Sequence, residues 1–198
     1  MSSNKISLNA SSIVRVLGII AFLLVLASIA GSLINYLAGY ASLYGLVPLF
    51  DLDTEQNIPT FFSTFLLLFA ALLLGVITIL KKSQRDSYAS YWMILSFGFL
   101  YMAVDEASSL HELLIRPTSM LLGNGKLGIF YFSWVIPIFV VICILALFFV
   151  RFFLHLPPKT RLTFLIAATL YIGGAIGLGL IGGRYSELHG EDLAYSMM

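Results

Sequence analysis

The sequence predicts an all-α fold: a polytopic membrane helical bundle of about five transmembrane helices, with the N-terminus cytoplasmic and the C-terminus outside. Two observations carry this. The 198 residues are 60% apolar, only 11% charged, and have a mean hydropathy of +0.97, which places the chain among multispan membrane proteins rather than soluble globular domains. The apolar residues also fall into long runs separated by short polar connections, the punctuation of a single membrane domain over 1–198.

The first span is expected at 16–37, after a polar start that contains Lys5 and Arg15. It exceeds a signal-peptide core and lacks a clear small-residue cleavage site, so it reads as a retained helix. Ala27 and Gly31, four apart, form a small-xxx-small surface for close helix approach. Residues 38–58 contain no Lys or Arg, and Tyr40, Tyr44 and Phe50 suit a segment lying at headgroup level. Asp51 and Asp53 alternate with Leu52, but the rest of an EF-hand loop is missing, so they read as solvated acids.

Pro59 opens the second span, 59–80, in the first helical turn where proline is tolerated, and Lys81-Lys82-Ser83-Gln84-Arg85 closes it. The third span starts at Ala89 and must carry Asp105 and Glu106 with it, because the apolar run to Val104 is too short to cross alone. It is placed at 89–115, with Pro117 marking its end. Gly123-Asn124-Gly125 is a turn signal. The fourth span, 129–150, has Tyr131 and Trp134 near its start and Pro137 as a kink. The fifth, 162–183, follows a connection that contains His155, Pro157-Pro158 and Lys159. Its glycines Gly173, Gly177, Gly179 and Gly183 stand at the four-residue spacing of tight helix packing, either within the chain or against another membrane subunit.

Charge sets the orientation. Lys5, Arg15, Lys81, Lys82, Arg85, Arg151, Lys159 and Arg161 fall on one side of this five-span plan, and Arg116, Lys126 and Arg184 on the other. The positive-inside rule places the larger group in the cytoplasm. The acids, which that rule does not use, then divide sharply: of ten, only Asp86 falls on the basic side. His111 and His189 join the nine on the outer side.

Chemistry is therefore sought at the outer face, where Asp105, Glu106, His111 and Glu112 close the third span and Glu187 and His189 follow the fifth. At 1.5 Å per residue Asp105 lies roughly 24 Å and His111 roughly 33 Å along a helix from Ala89, so the two carboxylates sit at the hydrocarbon edge and His111 at the interface. A charge left there costs energy unless it is protonated, bound to a cation or paired. On a continuous helix Asp105, Ser108 and Glu112 share a face while Glu106 and His111 point elsewhere. No HxxxH or ExxH pair is present. Glu187 and His189 align only on an extended segment, which the following Gly190 permits.

Three functional readings follow. Mixed carboxylate and imidazole ligands suit a divalent metal such as zinc, iron or manganese, able to activate water or carry electrons; the alternative for these residues is solvation or pairing with Arg116 and Arg184. Desolvated carboxylates can instead handle protons or other cations. A non-catalytic accessory subunit, packed by its glycine faces into a larger membrane complex, is the third. Whether the protein is an enzyme is left open. The single cysteine, Cys143, excludes an intramolecular disulfide, a CxxC redox pair and a cysteine metal cluster, and scattered basic residues with a net charge of +1 offer no nucleic-acid footprint. Membrane lipids are the remaining expected partner.

The run Phe50-Asp51-Leu52-Asp53-Thr54-Glu55-Gln56-Asn57-Ile58-Pro59-Thr60, the pairs Asp105-Glu106 and His111-Glu112, and His189-Gly190-Glu191-Asp192 together resemble a family of uncharacterised multispan bacterial inner-membrane proteins. The resemblance covers most of the chain and implies a multi-pass location in that membrane, without implying an activity. The family pattern continues into a further glutamate-rich helix that this sequence lacks, which implies that part of an outer-face site would be either missing here or supplied by another chain.

Overall fold

The computed structural model describes residues 9–38, 43–122 and 133–189. Every regular element among them is helical. In order these are α1 (Ala10–Ala38), a short 3₁₀ turn (Leu43–Gly45), α2 (Leu46–Phe50), α3 (Ile58–Ser83), α4 (Ala89–Ser108), a 3₁₀ segment (Leu110–Leu114), α5 (Ile115–Leu122), α6 (Val135–His155), α7 (Pro158–Ile172), a π-helical turn (Gly173–Leu178) and α8 (Gly179–His189). The chain forms two compact units, Met1–Phe62 and Ser63–Met198, with the boundary inside α3.

Among the described residues, α1, α3 and α6 are each long and apolar enough to cross a membrane. A fourth crossing is available if α4 and the helical segment after it count as one broken span. Little of these apolar stretches is covered by the protein itself; Leu72, Ile79 and Leu147 are 69%, 70% and 77% exposed. Side chains of this kind on several helix faces at once need a non-aqueous surrounding, since water would charge about 25 cal/mol for each exposed Å².

In the first unit the small residues of α1 serve a local purpose. Gly31 leaves room for Val47 of α2, which would lie 3.5 Å from a Cβ placed there, and the Ser28 hydroxyl accepts the Leu52 backbone N–H at 3.1 Å. The loop 51–57 is gathered by Asn57, only 4% exposed. Its carboxamide NH₂ donates to the carbonyls of Asp51 and Thr54, while its Oδ1 accepts the backbone N–H and the hydroxyl of Thr60, both at 3.1 Å. Asn57 is thus the N-cap of α3, satisfying a first-turn donor that would otherwise be orphaned. Asp51 closes a turn by accepting the Asp53 N–H, a structural task for one of the loop acids.

In the second unit α3 and α4 meet through small residues: the Ser96 hydroxyl donates to the Ala71 carbonyl at 2.8 Å, opposite Gly75. Leu74, Trp92, Phe152 and Leu156 form a buried cluster joining α3, α4 and α6, extended by Tyr91, Phe149 and Phe164. Tyr91 stacks on Phe152 at 5.3 Å, and Trp92 meets the same ring edge-on at 5.0 Å.

Several sequence expectations change in detail. The third span does not run unbroken from 89 to 115: α4 ends at Ser108 and the chain turns by 82°. Pro117 does not end a helix but sits in the first turn of α5, where its missing N–H costs nothing. Pro137 falls likewise in the first turn of α6 and does not kink it. The fourth helix begins at Val135 rather than 129; Lys126, the 123–125 turn signal and Tyr131 lie outside the described residues. The fifth expected span is helical from Pro158 to His189 but passes through a π turn at Gly173–Leu178. A Cβ at Gly173, Gly174 or Gly177 would meet nothing within 4 Å, so these glycines do not admit a neighbour from within the described chain. They coincide instead with the change of helical pitch, where weak helix formers offer least resistance.

Candidate functional site

The break after α4 is built from serines and one aspartate. The Ser108 hydroxyl donates to the Val104 carbonyl, competing with the helix's own hydrogen bonding. Ser109 then adopts the left-handed conformation, φ 54° and ψ 36°, a state that costs a non-glycine residue roughly 1 kcal/mol. What holds it there is Asp105. Its Oδ1 accepts the His111 backbone N–H at 2.7 Å and its Oδ2 lies 3.2 Å from His111 Nδ1. One carboxylate therefore caps the new 3₁₀ turn and grips the imidazole of the same residue.

Two further ties fix the turn from α6. Ser133, fully buried, donates its hydroxyl to the Ile115 carbonyl at 3.0 Å. Trp134 presents its ring to His111, centroids 4.9 Å apart at 60°. Ala103, two residues before Asp105, and Val135, which follows Trp134, are 1% and 2% exposed.

Asp105 and His111, which a straight helix would separate, are thus brought together. Both are half-buried, with side chains 24% and 21% exposed. Glu106 is half-buried as well and faces a different set: Ser63 of α3 lies beside it, and Tyr171 of α7 lies within electrostatic reach of both Glu106 and Asp105. Glu112 is exposed. Glu187 and His189 belong to α8, so the stretch expected to be extended is helical; their side chains lie outside the described set. Among the described residues no group of three or more His, Cys, Asp or Glu is placed to hold a metal ion.

Sequence reasoning did not single out Ser63, Tyr171 or Trp134 as partners of these acids. Ser63 and Tyr171 are single polar atoms on apolar helices, and nothing in their local pattern shows which helix they face. The hydrogen bond between Asp105 and His111 was equally hidden, because six residues apart is out of reach unless the helix breaks.

The bond to Asp105 sets the tautomer of His111. With Nδ1–H donating to the carboxylate, Nε2 carries the imidazole lone pair. Carboxylates orient histidines in this way both for proton transfer and for metal ligation.

Neither the curated proteins nor the solved structures contain a match to this chain. A family model does match, over residues 16–198. The chain belongs to the family that this model describes, a domain of unknown function (DUF8692).

Proposed function

We propose that the protein is a multi-pass membrane protein that takes up and releases protons at the Asp105–His111 dyad in its broken fourth helix. The observation that carries this reading is the double grip of Asp105 on His111, which, with Nδ1–H donating to the carboxylate, leaves Nε2 as the proton-accepting nitrogen. Glu106 on α4 and Tyr171 on α7 are further titratable groups within electrostatic reach of each other. This supplies partners that an isolated acidic helix would lack. The charge count supports five crossings with the N-terminus in the cytoplasm and the dyad towards the outer face of a bacterial inner membrane.

Proteoliposomes loaded with a pH-sensitive dye test the reading. Proton uptake under an imposed potential is expected in the wild type, falling at least about tenfold, the scale of a lost acid–base group, in Asp105→Asn and in His111→Gln. Flux that both variants retain in full would exclude it.

A divalent cation is the second reading, favoured by one observation: a carboxylate on Nδ1 is how a histidine is prepared to bind a metal through Nε2. His111 would then be a ligand and Asp105 its orienting partner, with Glu106, Glu112, Glu187 and His189 as the other candidate donors for zinc, iron or manganese. Metal analysis of protein purified in mild detergent separates the two. Stoichiometric metal that His111→Gln and His189→Ala both lose would favour the cation; protein that is metal-free and still conducts protons would exclude it.

A further inference from the structure

At the other end of α4 the ends of four helices, the C-termini of α3 and α6 and the N-termini of α4 and α7, enclose a cavity of about 410 Å³. Its floor is apolar, with Trp92, Phe152 and Leu156, all buried. Its rim is polar and carries Lys81, Asp86, Tyr88, His155 and Thr160. We propose that this cavity binds the headgroup of an anionic phospholipid, the phosphate at the rim and the first part of the acyl chains over the apolar floor. The proposal goes beyond the proton reading and is independent of the dyad, although it shares the premise that the chain sits in a bilayer.

Charge complementarity is the first argument. The two segments that border the cavity, 81–89 and 156–161, carry Lys81, Lys82, Arg85, Lys159 and Arg161 against the single acid Asp86. Basic residues clustered where helices leave the membrane, with a pocket between them, are the arrangement that attracts anionic headgroups. The backbone adds to it. α7, which starts after Pro157, has no side chain closing its first turn and contributes the rim residue Thr160. One partial positive helix end therefore adds to the basic charge at the rim.

The shape fits an amphiphile better than a free ion. Tyr88 stacks on His155 at 4.4 Å, making one wall, and the Trp92 and Phe152 rings continue it inwards. A small inorganic anion would leave this apolar floor uncovered. Lys81 at present pairs with Asp86 at 2.9 Å, with side chains 37% and 19% exposed. A pair so accessible to solvent contributes little, so a phosphate can compete for the lysine.

Tryptophan emission provides the test, because the chain has two tryptophans and Trp92 lines the cavity. Full-length protein carrying Trp134→Phe is placed in phosphatidylcholine vesicles, and brominated phosphatidylglycerol or brominated phosphatidylcholine is titrated in. Half-maximal quenching is expected at about fivefold lower mole fraction for the anionic lipid, the effect of about one well-placed basic residue. Lys81→Ala should abolish that preference. Asp86→Asn, which releases Lys81 yet keeps an oxygen to accept the Tyr88 N–H, should increase it, an opposite sign that a folding defect would not produce. Arg151→Ala, exposed on α6 and outside the cavity, should leave it unchanged.

Equal quenching by the two lipids overturns the proposal, as does a loss in Arg151→Ala as large as in Lys81→Ala, which would mean diffuse surface attraction. Relief of quenching by millimolar inorganic phosphate would assign the site to the free anion and overturn the lipid. Quenching by neither lipid would remove the bilayer premise itself, whereas a failed proton-flux assay alone would leave this site standing.

Discussion

The two ends of α4 hold charge in opposite ways. At the basic end the ionisable groups stay at the rim: Lys81 and Asp86 pair in the turn before the helix, while rings of α4 and α6 fill the space beneath. At the acidic end the charge enters the architecture, because Asp105 builds the bend at Ser109 by capping and gripping His111. The basic end would keep its fold with its charges altered, since aromatic packing carries it. The acidic end would not, since its conformation is made of polar contacts. Groups that are costly to place near the hydrocarbon are thereby retained where they are needed to hold a shape, and that shape gives His111 a defined tautomer.

Each end has a substitution that tests this contrast. Phe152→Ala should have the largest effect, a loss of about 3 kcal/mol in unfolding from mixed micelles, because one ring meets Tyr88, Tyr91, Trp92 and Phe149. A loss below about 1 kcal/mol would mean that lipid replaces the packing, as it does for many apolar contacts in membranes. Asp105→Ala should cost about 2 kcal/mol by stranding a half-buried N–H, and should speed hydrogen exchange at the His111 amide. Asp105→Asn should recover part of that loss, since an oxygen remains to accept.

The candidate crossings were legible in the sequence because long apolar runs are what a membrane-spanning helix requires. α1, α3 and α6 lie where the hydropathy places them, with ends shifted by a few residues. The break in α4 was not legible. It has neither glycine nor proline, and Ser109 carries no sign of a left-handed conformation until the Asp105 bond that stabilises it is known. The π turn in the fifth span was not legible either: its glycines match a packing spacing, and Gly173, Gly174 and Gly177 also lie within the π turn. Of the candidate residues, the pattern drew attention to Asp105 and His111 but assigned them to different helix faces, because it assumed one continuous helix; the structure brings them together.

The smallest effect belongs to the rim pair. The Lys81 ammonium hydrogen-bonded to Asp86, joined by the Tyr88 backbone N–H, holds the Asp86 carboxyl below its ordinary range. A carboxyl lowered in the folded state binds protons less readily than in the unfolded chain. It therefore contributes stability that is fully present above the ordinary carboxylate range and is lost as pH falls through the lowered value. Unfolding midpoints of the wild type and Asp86→Asn, compared from neutral to acid pH, should differ slightly at neutral pH and converge in acid. Added salt should narrow the neutral-pH gap. A gap that widens in acid would contradict this sign.

The central claim, that Asp105 holds His111 across the break and fixes its ring, is tested most directly by nitrogen-15 spectra of histidine-labelled protein in bilayers, with His155 and His189 replaced so that a single imidazole remains. In the wild-type background the neutral form of His111 should carry its proton on Nδ1, and Asp105→Ala should return that form to the mixture of tautomers found in free imidazole. A wild-type spectrum already showing that mixture, or the proton on Nε2, would contradict the account.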